Sequence, residues 1–149
     1  MLTLNAPRGA RPLTLDERRA ATQRTLDHFR DRDFSWRGAT CLHVLRFHLR
    51  ALGHRPPRIP PFRSPVGAMR ALKAAGYVDL AALLDDLPLA RLTPAQMIVG
   101  DIALVPGDDS PFDALLICAG GKFIGWHGAA PGFQGLLPEI GAIKGMWRG

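Results

Sequence analysis

Two cysteines, Cys41 and Cys118, are all the thiols in 149 residues, and no CxxC spacing occurs. So few thiols exclude a disulfide framework and give no basis for a zinc site. A single Cys41–Cys118 bridge is open by count alone, against the rule that a reducing compartment keeps thiols free. No apolar run approaches the roughly 20 residues a membrane-spanning helix requires. The opening MLTLNAPRGARPLTLDERR lacks the apolar centre of a secretory signal, so the chain is expected to be made in a cytoplasm. HExxH, GxSxG and P-loop spacings are missing, which removes zincin, serine-hydrolase and nucleotide-binding signatures. No metal and no cofactor is implied.

Lysine is missing from residues 1–63, which carry 13 Arg against 5 acids, whereas residues 64–149 carry 6 basic and 8 acidic residues. The net charge of +6 therefore belongs to the N-terminal half. Such asymmetry fits a solvated face written in arginine, a protein partner, peptidoglycan or nucleic acid. The arginines are not interleaved with stacking aromatics, which weighs against nucleic acid.

What is present suffices for one domain, since 47% hydrophobic residues is ordinary for a globular chain of this length. Residues 1–13, broken by proline, glycine and arginine, read as an extended arm, and residues 14–149 as a single domain. Thr14 or Asp16 can cap a helix through ERRAATQRTLDHFRD, with Ala21, Thr25, Leu26 and Phe29 as a thin apolar stripe. After the turn DFSWRG comes a second helix starting at Cys41. Leu42, Leu45, Leu49 and Leu52 form its buried face, His43, Arg46, Arg50 and His54 its basic face, and Gly53 its end. The segment 54–65 holds five prolines and reads as a stiff loop. Ser64-Pro65 opens a third helix stopped by Gly76, DLAALLDDL a short fourth, and Thr93-Pro94 a turn.

From Gly100 the pattern becomes β. Strands are expected at 101–105, 114–119 and 122–127, with AGGK as a tight hairpin and edge strands near Leu136-Leu137 and 143–147. Helices followed by an antiparallel sheet make an α+β chain.

Cys41 is the best-placed reactive group. A thiol in the first turn of a helix meets free N–H groups and the positive end of the dipole, so thiolate formation should be eased. The bland alternative is a buried free cysteine acting as a small hydrophobe, the reading given to Cys118. His43 and His48 lie on the same helix but point elsewhere or lie two turns away, so each reads as a surface or core-edge histidine. Trp36, Trp126 and Trp147 read as core or cleft wall. Asp108 and Asp109 match no EF-hand spacing and read as a solvated turn. Asp101 reads as a cap on the turn into its strand.

FSWRGATC (34–41), GDIALV (100–105), ALLICAGGKFIG (114–125) and AIKGMWRG (142–149) follow one another in an order that resembles the NlpC-type papain-like cell-wall peptidases. Within that superfamily the chain looks most similar to the small NlpC-like proteins of tailed-phage and prophage tail gene clusters. The resemblance implies a papain-like α+β domain with N-terminal helices packed on a small antiparallel sheet. It puts Cys41 at the nucleophile, Thr40 where the pattern has Asp, Asp113 where the catalytic His stands, and Gly125 at the third, polar position. His127, two residues beyond Gly125 and on the same strand face, is the substitute base. A cysteine peptidase needs a base within reach of its thiol, and Asp113 would oppose a neighbouring thiolate. The resemblance thus implies a phage-tail virion protein, at the tail tip or in tail assembly, whose degenerate peptidase fold serves as an interaction module for other tail-tip proteins. The alternative is an active endopeptidase or amidase on peptidoglycan stem peptides, with Cys41 as nucleophile and His127 as base. Whether the chain is an enzyme stays open at this point.

Overall fold

The structure, a computed structural model, describes residues 11–107, 113–126 and 132–149. Residues 1–10 of the expected arm, Asp108, Asp109 and His127 lie outside the described residues. Four α-helices and a five-stranded antiparallel sheet make up the fold among the described residues.

Each helix starts on the residue type that its free N–H groups need. Helix α1 (Leu15–Phe29) is capped by Thr14, whose hydroxyl accepts from the Glu17 N–H at 3.1 Å. Arg11, just ahead of the cap, pairs with Glu17 and ties residues 11–13 to this first turn. Helix α2 (Cys41–Ala51) is capped by Thr40, with His43 completing a capping box. Helix α3 (Pro65–Ala74) starts on the Ser64 hydroxyl, and α4 (Leu80–Asp86) on the Asp79 carboxylate. Gly53 and Gly76 follow α2 and α3 at φ +93° and +98°, the left-handed backbone that turns the chain out of a helix. Thr93 caps a single 3-10 turn at Pro94–Gln96.

Strands β1 (Ile102–Val105), β2 (Ala114–Cys118), β3 (Phe123–Gly125), β4 (Gln134–Leu136) and β5 (Gly145–Trp147) stand in the order β4-β3-β2-β1-β5. The two C-terminal strands are thus the two edges. The hairpin between β2 and β3 turns at Gly120, φ +99°, where the Ala119 N–H reaches the Lys122 carbonyl at 2.8 Å.

Every residue of β1 and β2 is buried, because the sheet is covered on both faces. Ile102, Leu104, Leu115 and Ile117 alternate onto the face packed by Leu42, Leu45 and Leu49 of α2 and by Leu80 and Leu83 of α4. Ala103, Val105, Leu116 and Met146 form the opposite layer, closed by Leu92, Met97 and Ile143. Two-sided burial explains why these strands read as unbroken apolar runs rather than alternating ones.

The buried face of α1 is wider and more polar than its apolar stripe suggests: Arg18, Ala21, Thr22, Thr25 and Phe29 all point inward. His48 also departs from the expectation of a surface or core-edge residue, for it is fully buried. Its Nε2 donates to the Gly100 carbonyl at 2.8 Å, and its Nδ1 accepts from the Thr25 hydroxyl at 2.8 Å. With both nitrogens matched, a neutral ring sits in the core without an unsatisfied group.

Candidate functional site

Cys41 opens α2, and β2 runs across its front. Strand β2 pairs with β3 only through Ile117 and Cys118. The N–H of Leu115 instead meets the Cys41 Sγ at 3.3 Å. This brings the thiol to the N-terminal end of β2, beside Asp113. The sequence motifs that flank the two positions are therefore joined in space.

The electrostatics run against the eased ionisation expected from the helix terminus. Cys41 as a residue is part-buried, but its sulfur faces inward, and burial pushes the thiol up to about 11. The N–H groups of Leu115 and of Cys41 itself pull the other way, and the Asp113 charge pushes up further. At neutral pH a group so placed is about one part in ten thousand thiolate. Desolvation outweighs the helix dipole here because the strand covers the sulfur.

No histidine among the described residues serves as its base. His43, two residues along α2, turns its Nδ1 to the Thr40 hydroxyl at 2.7 Å and packs against Phe62. Burial lowers its pKa, as does the charge of Arg46. It is a capping side chain. His48 is locked in the core as described. Asp113, at the position the resemblance gives to the catalytic His, is held by both carboxylate oxygens on Lys144 Nζ at 2.9 Å. Gly125 ends β3 where a third polar residue would stand. A Cβ there would lie 2.6 Å from Leu116 Cδ2 and 2.9 Å from the Leu115 carbonyl oxygen, so the position has no room for a side chain. Trp126 is buried against Phe29, Phe34 and Phe133, and its indole donates to the Arg32 carbonyl at 2.9 Å. Trp147 is buried and Trp36 part-buried, while Cys41 and Cys118 are both free. Among the described residues no three His, Cys, Asp or Glu side chains converge as a metal site.

A second polar cluster was not visible in the sequence. Asp101, fully buried, accepts the Ile98 N–H at 2.9 Å, which is the turn-capping role expected of it. The same carboxylate also pairs with Arg18 of α1 and accepts the Gly149 N–H at 3.2 Å. Arg18 donates further to the carbonyls of Val99 at 2.7 Å and Gly149 at 2.8 Å. Arg148 Nε stands 3.2 Å from Asp101 but off the line of a hydrogen bond, so that contact is one of charge alone. Burial pushes Asp101 up and Arg18 down, each opposed by the charge of the other. The sequence signal was Arg18 itself, three residues before Ala21 and so on the inward stripe of α1.

A cavity of about 250 Å³ lies beyond the far end of α2, lined by Leu49, His54, Arg55 and Leu87–Leu89. It is remote from Cys41.

Set against known proteins, residues 14–148 match the family model described as "Domain of unknown function (DUF6950)". The match starts on the cap of α1 and takes in the whole sheet. No curated protein and no solved structure gives a match.

Proposed function

We propose, from the order of the sequence motifs and the geometry around Cys41, that this chain, which belongs to the DUF6950 family, is a papain-like, NlpC-type domain whose peptidase apparatus is retired. It serves in a phage tail, at the tip or during assembly, as an interaction module for neighbouring tail proteins. The resemblance of the FSWRGATC, GDIALV and ALLICAGGKFIG motifs supplies the tail setting. One observation carries the loss of activity: the acid at the base position, Asp113, is neutralised by Lys144 beside a thiol whose pKa is raised to about 11. Acylation of Cys41 would require a base to take its proton, and the group standing there raises the thiol's pKa instead of accepting its proton usefully.

Digestion of purified peptidoglycan tests the reading, with His127→Ala and Cys41→Ser as the informative variants. The expected outcome is no release of stem-peptide fragments by any of the three proteins. Release by the native chain, abolished in both variants, would establish the alternative, an active endopeptidase with His127 as base.

A further inference from the structure

Between Asp33 and Asp79 the chain contains no acidic residue and eight cations, seven Arg and Lys73. This segment forms α2, the proline-rich loop and α3. All seven ion pairs among the described residues use cations from outside it. Several exposed cations elsewhere sit beside their own acids, Arg19 on Asp16, Arg30 on Asp27 and Arg91 on Asp85. Among the described residues, those inside the segment pair with no acid.

The cations are also held together. Arg46 and Arg50 lie one turn apart on the outer side of α2. Arg46 Nη1 donates to the Pro57 carbonyl at 2.7 Å, which fastens the loop to the helix and delivers Arg58 to the same place. Arg50 and Arg58 both depress the Arg46 pKa after burial does so, which reports their closeness. Pro56, Pro57, Pro60 and Pro61 stiffen the loop, so the array is set before any partner arrives. Like charges collected on a rigid surface without local acids disfavour the free protein and favour an anionic partner.

We propose that the outer face of α2, the loop 54–64 and α3 form a docking surface for an acidic patch on another protein. The proposal rests on the interaction-module reading and names the chemistry of its partner. Two features favour protein over nucleic acid. The aromatic rings of α2 and the loop already make ring contacts, Phe47 stacked on His28 at 4.2 Å and Phe62 tilted against His43 at 5.2 Å, which leaves them less free to stack on a base. Val66, at the start of α3, is 61% exposed amid these cations, an apolar contact that suits a protein rim better than a phosphate backbone.

Titration of the full chain with fluorescent poly-L-glutamate and with a labelled DNA duplex of matched charge tests this. Arg46→Gln/Arg50→Gln/Arg58→Gln should weaken poly-L-glutamate binding about tenfold at low salt. Arg19→Gln/Arg30→Gln/Lys122→Gln, which removes the same charge elsewhere, should change it less than about twofold. Arg50→Gln/Arg58→Gln, which leaves the Arg46 bond in place, should lie between and guards against misfolding of the triple variant. Equal losses in both triple variants would reduce the surface to diffuse net charge and overturn the proposal. Tighter binding of the duplex would overturn it in favour of nucleic acid. Neither readout involves Cys41, so peptidoglycan digestion would sink the module reading while leaving this binding pattern in place.

Discussion

At the N-terminal end of α2 a thiol meets two backbone N–H groups, of Leu115 and of Cys41 itself, and an acid already committed to Lys144. About two turns along the same helix, His48 has both ring nitrogens matched in the core, next to a carboxylate bound by Arg18. One end has a thiol to which no histidine among the described residues is hydrogen-bonded. The other has an imidazole and a carboxylate, the groups a cysteine peptidase would want, fixed into a cluster that joins α1, α2, the turn before β1 and the end of the sheet. Among the described residues, Arg18, Asp101 and His48 hold elements together through hydrogen bonds, whereas the Cys41 thiol meets only backbone N–H groups. The same helix separates the two situations.

The comparison breaks most visibly at Asp101. Asp101→Ala leaves the Arg18 guanidinium buried without its counter-charge, and removal of one partner of such a pair costs about 3–5 kcal/mol. Thermal unfolding should register a fall of roughly 10 °C or more. Arg18→Met/Asp101→Leu should recover part of that loss, since no lone charge then remains inside.

His48 sharpens the comparison through pH. Burial lowers its pKa from 6.5 to about 4, so the folded ring stays neutral while the unfolded ring takes up a proton below 6.5. Stability attributable to this ring is present above pH 6.5 and is lost as pH falls towards 4. The loss amounts to roughly 3 kcal/mol over that window. Denaturant midpoints measured against His48→Gln should show the native chain losing stability more steeply with acid.

At the other end, Gly125→Ala introduces a Cβ into backbone and Leu116 and should cost about 1–3 kcal/mol by overpacking. A gain or no change in the melting temperature would show that the third position does have room for a side chain. The smallest effect belongs to Cys41→Ala, which removes one weak acceptor and a small apolar group, about 1 kcal/mol. Iodoacetamide labelling of Cys41 should be slow at pH 7 and accelerate towards pH 11, following burial's upward push on the thiol. Fast labelling at pH 7 would restore the thiolate expected from the helix terminus alone.

Local features of the fold were legible because the residues that decide them are neighbours. Thr14 and Ser64 cap helices, Gly53 and Gly76 end them, and the AGGK turn joins β2 to β3, all as their types require. The antiparallel sheet and both edge strands also follow from the spacing of apolar runs and turns. Arg18 and His48 were not legible in the same way. Their partners lie 83 and 52 residues along the chain, at Asp101 and Gly100, and no periodicity announces a partner at such range. The site divides likewise. That Cys41 starts a helix is local information, whereas its pKa is raised by burial against distant parts of the chain: Leu115, whose N–H reaches the sulfur, lies 74 residues later.

The pairing of Arg18 with Asp101 also has a bearing on time. A contact that closes 83 residues of chain follows the assembly of the elements between, because the entropy of closing so long a loop is recovered only once they are in place. Interactions absent from the folding transition state slow unfolding and leave folding rates almost untouched. A contact of this range that forms after the transition state acts as a latch: loss of the Arg18–Asp101 pair then shortens the lifetime of the folded domain more than it slows its formation.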